Sequence, residues 1–205
     1  MSKLSIDGLH ISKGLVYQEV DLEKLFGVDV SSYSSLKERF GQACIDAITK
    51  RAQQGLNYKG GKLPNYSEGY SNSAEFKAYG KNKYRPDETL KGDMLNMMNV
   101  ISSRGNVIRF GWDDETNAEK ARGHITGYEG HKYLSGSAKR EFFGLTRPQL
   151  ENIMIEFEDD IKQIKESARP EEKSAAQQLL EYLSDNDRQA NQQMLTKALG
   201  INFDE

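Results

Sequence analysis

The sequence predicts an α+β fold: an antiparallel sheet with a β-hairpin packed against two amphipathic helices, plus a C-terminal helical extension. Three observations predict it. A Gly-containing turn flanked by β-branched and aromatic residues marks a hairpin over 98–112. Two stretches, 35–54 and 146–164, place apolar residues at helical spacing behind capping signals. Beyond Pro170 the chain turns polar but keeps a weak helical period. The expected division is 1–166 for the α+β domain, with a long irregular loop over 56–86, and 167–205 for the extension.

The N-terminal stretch alternates loosely through Leu4, Ile6, Leu9 and Ile11, which suits a short strand or an extended arm. Asp21 to Phe26 reads as one or two helical turns. Ser35 followed by Glu38 is a capping-box signal for the first long helix. Its stripe is Leu36, Phe40, Ala43, Cys44, Ala47 and Ile48, and Gly55 is its stop. Cys44 lies on this stripe, so it reads as a small buried hydrophobe. Between Leu56 and Pro86 glycines and prolines break any period, and five tyrosines recur among lysines. Leu90 to Met98 begins a buried element. The hairpin turns at Ser103-Arg104-Gly105-Asn106, and Asp113 to Arg122 suits a short helix. His124 to Ser137 reads as a second Gly-rich loop. Thr146 and Gln149 then form the best capping signal, with Pro148 tolerated in the first turn and Leu145 and Leu150 as a hydrophobic staple. The stripe that follows is Leu150, Ile153, Phe157, Ile161 and Ile164.

Composition narrows the function. Of 205 residues 37% are hydrophobic and 29% charged, with a mean hydropathy of −0.74. That implies a modest core and surface left for neighbours or solvent. Net charge is −3, so the whole chain makes no case for nucleic acid. Charge is uneven, however. Nine bases stand against four acids from Lys50 to Lys91, a net of +5, while acids dominate from Glu151 to Arg188. Such opposite patches suit head-to-tail contact between subunits, and equally suit ordinary solvated surface. One cysteine excludes an intrachain disulfide and a multi-thiolate zinc site. No secretory signal is visible at the N-terminus, and no stretch approaches the roughly 20 apolar residues of a membrane span. A soluble protein made in a cytoplasm is expected.

Little in the sequence points to chemistry, and neither a catalytic residue, a metal nor a cofactor is predicted. His124 and His131, with Asp113 or Glu129, lack a recognised ligand spacing. Asp113-Asp114-Glu115 follows a strand, where acids usually serve turns and helix N-termini, although a metal-dependent hydrolase using Asp113, Asp114 and His124 remains a competing reading. Glu156, Glu158, Asp159 and Asp160 do not converge on one helix face and read as solvated. There is no P-loop, GxSxG or GxGxxG. The basic, tyrosine-rich loop is the strongest contact candidate, through Tyr58, Tyr66, Tyr70, Tyr79, Tyr84, Lys81, Lys83 and Arg85. It also suits single-stranded nucleic acid by charge and stacking, or tyrosines folded back on the domain.

Three stretches carry a family resemblance. They are Ala43–Gly61 (ACIDAITKRAQQGLNYKGG), Leu90–Trp112 (LKGDMLNMMNVISSRGNVIRFGW) and Arg140–Ile155 (REFFGLTRPQLENIMI). Together they resemble the phage virion-morphogenesis, or tail-completion (neck), family. In the second stretch Lys91 stands where that family has Thr or Ser, and in the third Glu141 stands where it has Pro. The resemblance implies a small α+β fold at the head–tail junction of a tailed bacteriophage, in a six-fold or twelve-fold ring. Its partners would be copies of itself and neighbouring connector, tail-terminator or tail proteins, with contact to DNA in the channel allowed. Localisation would be the virion, after synthesis in the bacterial host cytoplasm. Arg140, Phe142, Phe143, Leu150 and Phe157 are the expected structural anchors, the first three serving equally as core and turn. The alternatives are a nucleic-acid-binding accessory protein using the basic loop, and an assembly chaperone missing from finished particles.

Overall fold

The computed structural model describes residues 6–81, 84, 93–127 and 139–167. Its fold is α+β. The chain divides into two compact units, Met1–Ile164 and Lys165–Glu205. The first contains a four-stranded antiparallel sheet: β1 (Leu9–Ser12), β2 (Leu15–Asp21), β3 (Asn99–Arg104) and β4 (Val107–Trp112), in the order β1-β2-β4-β3. Residues 168–205 lie outside the described residues, and with them nearly all of the expected helical extension.

The hairpin forms where the sequence places it, with Gly105 and Asn106 between the strands and Gly105 at φ +54°. Asn106 does more than turn. Its side chain accepts from the Val30 amide at 2.8 Å and donates to Glu23 Oε2 at 2.8 Å. The N-terminal region goes beyond the single strand or arm expected: β1 and β2 form a second hairpin, and β2 is a central strand against β4. Its inward side chains are Val16, Gln18 and Val20. Gly111 makes the β2–β4 approach feasible. It sits at φ +150°, and a Cβ there would lie 2.2 Å from the Val16 carbonyl oxygen.

Helices cover the inner face of the sheet. Asp21 caps α1 (Leu22–Phe26) by accepting from the Lys24 amide. The long helix α2 (Ser34–Gln53) buries Leu36, Phe40, Cys44, Ile45, Ile48 and Ala52. The expected Ser35–Glu38 capping box is not its start. The cap position lies two residues earlier, at Tyr33, with no side-chain cap bond. That end is tied instead by Lys37, whose Nζ donates to the carbonyls of Ser31 at 2.8 Å and Gly105 at 2.9 Å. Gly55, at φ +72°, ends α2 as expected.

Two short helices, α3 (Glu68–Ser71) and α4 (Ala74–Ala78), occupy the loop expected to be irregular. Ser67 and Ser73 cap them, each accepting from the amide three residues on. After α5 (Asp93–Asn96) and the hairpin comes α6 (Glu115–Thr126), longer than the sequence suggested. The Thr146–Gln149 start is as expected: the Thr146 amide donates to Gln149 Oε1 at 2.9 Å. The single helix expected from there is instead α7 (Arg147–Met154), a 3-10 turn (Ile155–Phe157) and α8 (Glu158–Ser167). Its apolar stripe survives the break, since Leu150, Ile153, Phe157, Ile161 and Ile164 are all buried.

Candidate interaction surface

Gly55 redirects the chain into a closed loop. Leu63 N donates to Gly55 O at 2.8 Å, and Asn57 Oδ1 accepts from the amides of Lys59 and Gly61, both at 2.9 Å. The loop displays Lys59 and Lys62 to solvent. Tyr58 points the other way and is 2% exposed. Its amide donates to Glu141 O at 2.9 Å and its carbonyl accepts from Gln149 Nε2 at 3.0 Å.

The next segment closes on its own aromatics. The ring centroids of Tyr66, Tyr70 and Phe76 are pairwise 5.3 Å apart, in edge or tilted contact. The Arg140 guanidinium lies 4.6 Å from the Tyr66 centroid. Tyr66 is therefore buried like Tyr58, and neither presents an aromatic face to a partner. Of the expected contact residues, Tyr79 and Tyr84 are exposed, Tyr70 and Lys81 are half-buried, and Lys83 and Arg85 lie outside the described residues. Arg51, counted by sequence among the basic patch, is inside the protein.

The anchors fare differently. Phe142 and Phe143 are fully buried against Trp112, and Phe143 also meets Phe110 edge-on. Leu150 and Phe157 belong to the same core. Arg140 sits at its margin, its amide donating to His124 O at 2.8 Å.

Three polar residues, missed by sequence, hold this arrangement together. Arg51 Nη2 donates to the carbonyls of Phe142 and Gly144, both at 2.7 Å. Burial pushes its pKa down to about 10. Gln18 donates to the Asp7 carbonyl, and with Leu145 it exchanges a donated and an accepted bond, both at 2.8 Å. Lys37 completes the set. The available signal was weak: Arg51 continues the α2 stripe three residues after Ile48, and Gln18 alternates with Val16 and Val20.

The described residues of the hydrolase reading, Asp113, Asp114 and His124, do not form a cluster. Asp114 is the N-cap of α6, accepting from Asn117 N at 2.8 Å. His124 is in the last turn of that helix rather than in a loop, ten residues and so about 15 Å along it. Asp113 accepts from Asn99 Nδ2 at 3.3 Å. Glu129 and His131 lie outside the described residues. Among the described residues no three His, Cys, Asp or Glu side chains group as metal ligands. Cys44 is fully buried, and desolvation pushes its thiol pKa well up. Among the described residues no helix is long and apolar enough to cross a membrane.

No family model, curated protein or solved structure matches this chain.

Proposed function

We propose that the chain is a structural virion protein of a tailed bacteriophage, a neck or tail-completion component at the head–tail junction that works through subunit contacts. One observation supports this reading above others. The three stretches that carry the family resemblance, far apart in sequence, converge on one packed unit. Arg51 and Tyr58 of the first bond to the carbonyls of Phe142, Gly144 and Glu141 in the third. Trp112 of the second packs on Phe142 and Phe143 of the third. Residues chosen for one shared fold would meet in this way.

Gln18, Lys37 and Arg51, three buried polar side chains, are engaged with backbone groups, which supports a structural role for them. The partners under this reading are copies of itself in a six-fold or twelve-fold ring and the neighbouring connector or tail subunits. The nucleic-acid alternative draws less support, because Tyr58, Tyr66 and Arg51 are withdrawn from the proposed platform. Quantitative mass spectrometry of purified particles tests the reading. We expect a fixed copy number, equal to that of the portal or half of it. Absence from particles would overturn it in favour of an assembly chaperone or accessory protein.

A further inference from the structure

We propose that two oppositely charged ends of the first compact unit are the two halves of a head-to-tail contact between copies of this chain. The inference deepens the subunit-contact reading and rests on it.

The ends are set by α2. At its C-terminal end, Lys50 is exposed and the closed loop after Gly55 presents Lys59 and Lys62. That loop is firmly placed, by its own Asn57 bonds and by the Tyr58 backbone bonds to Glu141 and Gln149. Toward the N-terminal end of α2, Arg39 bonds to Asp160 at 2.7 Å and lies over the Phe157 ring. This fixes the start of α8 there, with exposed Glu156, Glu158 and Asp159 around it. Arg39 and Arg51 are twelve residues apart on one helix, so the two ends are about 18 Å apart.

Among the described residues, Lys50, Lys59 and Lys62 make no ion pair, and neither do Glu156, Glu158 and Asp159. At this separation, more than two Debye lengths in physiological salt, the two groups barely stabilise each other within one subunit. Their complement is the opposite end of a second copy. Such a contact is heterologous, and repeating it builds a ring or a filament. The acidic end also carries an apolar element. Ile155 is 59% exposed in the turn before α8, flanked by Met154 and Glu156. A charged rim around an apolar residue is the usual anatomy of a protein contact.

Charge reversal and complementation test the contact on the full chain, read by light scattering after gel filtration at low salt. The wild type should self-associate and dissociate as salt is raised. Lys59→Glu with Lys62→Glu, and separately Glu158→Lys with Asp159→Lys, should each weaken association about tenfold or more. An equimolar mixture of the two variants should regain it, because each faulty end then meets a partner of opposite sign. Circular dichroism confirms that both variants are folded. A monomeric wild type, variants that assemble like wild type, or a mixture no better than its components would each overturn the contact. The particle count fails or succeeds independently. Reversed variants that enter particles at normal copy number would sink the contact and leave the virion reading standing.

Discussion

The sheet with α2 and the segment 64–81 follow different building rules. Around α2 every element leans on several others: Phe40 meets Phe26 at 5.1 Å and Phe157 at 5.4 Å, while α2 covers β3 and β4. Gln18, Lys37 and Arg51 each bond there to a backbone carbonyl from a distant part of the chain. In the segment 64–81, two short capped helices close over three aromatic rings, and the Arg140 guanidinium reaches Tyr66 from the rest of the domain. Those rings lie outside the main core cluster. One region is a cooperative core and the other a satellite, so they should open with different free energies.

Truncating one aromatic in each region is the strongest way to break that comparison. Phe40→Ala removes a fully buried ring at the centre of α2 and should cost about 3–5 kcal/mol of global stability. Phe76→Ala should lower the global denaturant midpoint far less, yet speed proteolysis within 66–81. Urea melts and limited proteolysis of both variants measure this. Equal losses of global stability would show that the satellite folds as part of the core.

How well each region could be read in the sequence follows the same division. The long helix, the hairpin, and the Thr146 start were legible because apolar period and turn chemistry agree there. β2 was not, because Gln18 occupies an inward position and breaks the apolar alternation. Its burial depends on Leu145, 127 residues away, which no local pattern encodes. The break between α7 and α8 was hidden because the 3-10 turn keeps Phe157 on the stripe. In the tyrosine-rich segment, composition marks the residue types and leaves their direction open: Tyr58 and Tyr66 turn inward, while Tyr79 and Tyr84 are exposed. Whether a tyrosine faces out depends on its neighbours in space, and Tyr66 found two aromatics and an arginine. The exposed lysines of the closed loop were legible individually, but their relation to α8 came only from the length of α2.

Arg51 joins the core to the third stretch, and its replacement sharpens the comparison from the core side. Arg51→Met keeps much of the side-chain volume while leaving the carbonyls of Phe142 and Gly144 without their donor. The loss should be about 2–3 kcal/mol, reduced from the full cost of two orphaned carbonyls because a desolvated charge also disappears. Arg51→Lys should recover part of it, since an ammonium can reach one carbonyl but lacks the planar fork. Thermal melts of the two variants decide it. A neutral Arg51→Met would mean that water or a small backbone shift satisfies both carbonyls.

The smallest effect is expected at the surface, where α6 is tied to the β1–β2 turn. Glu119 Oε1 accepts from the Gly14 amide at 2.9 Å, and Oε2 accepts from Arg122 at 2.7 Å. The Arg122 bond, then the Gly14 bond, hold the carboxyl below its ordinary pKa. The folded state therefore binds this proton less readily than the unfolded state does. Its contribution to stability is full above the unfolded value of about 4.3 and fades as pH falls through the lowered folded value. Glu119→Gln should accordingly melt slightly below wild type at pH 7, and the gap should narrow as pH falls below the ordinary glutamate value of about 4.3. A gap that stays constant as pH falls would assign the effect to lost amide geometry at Gly14 rather than to charge.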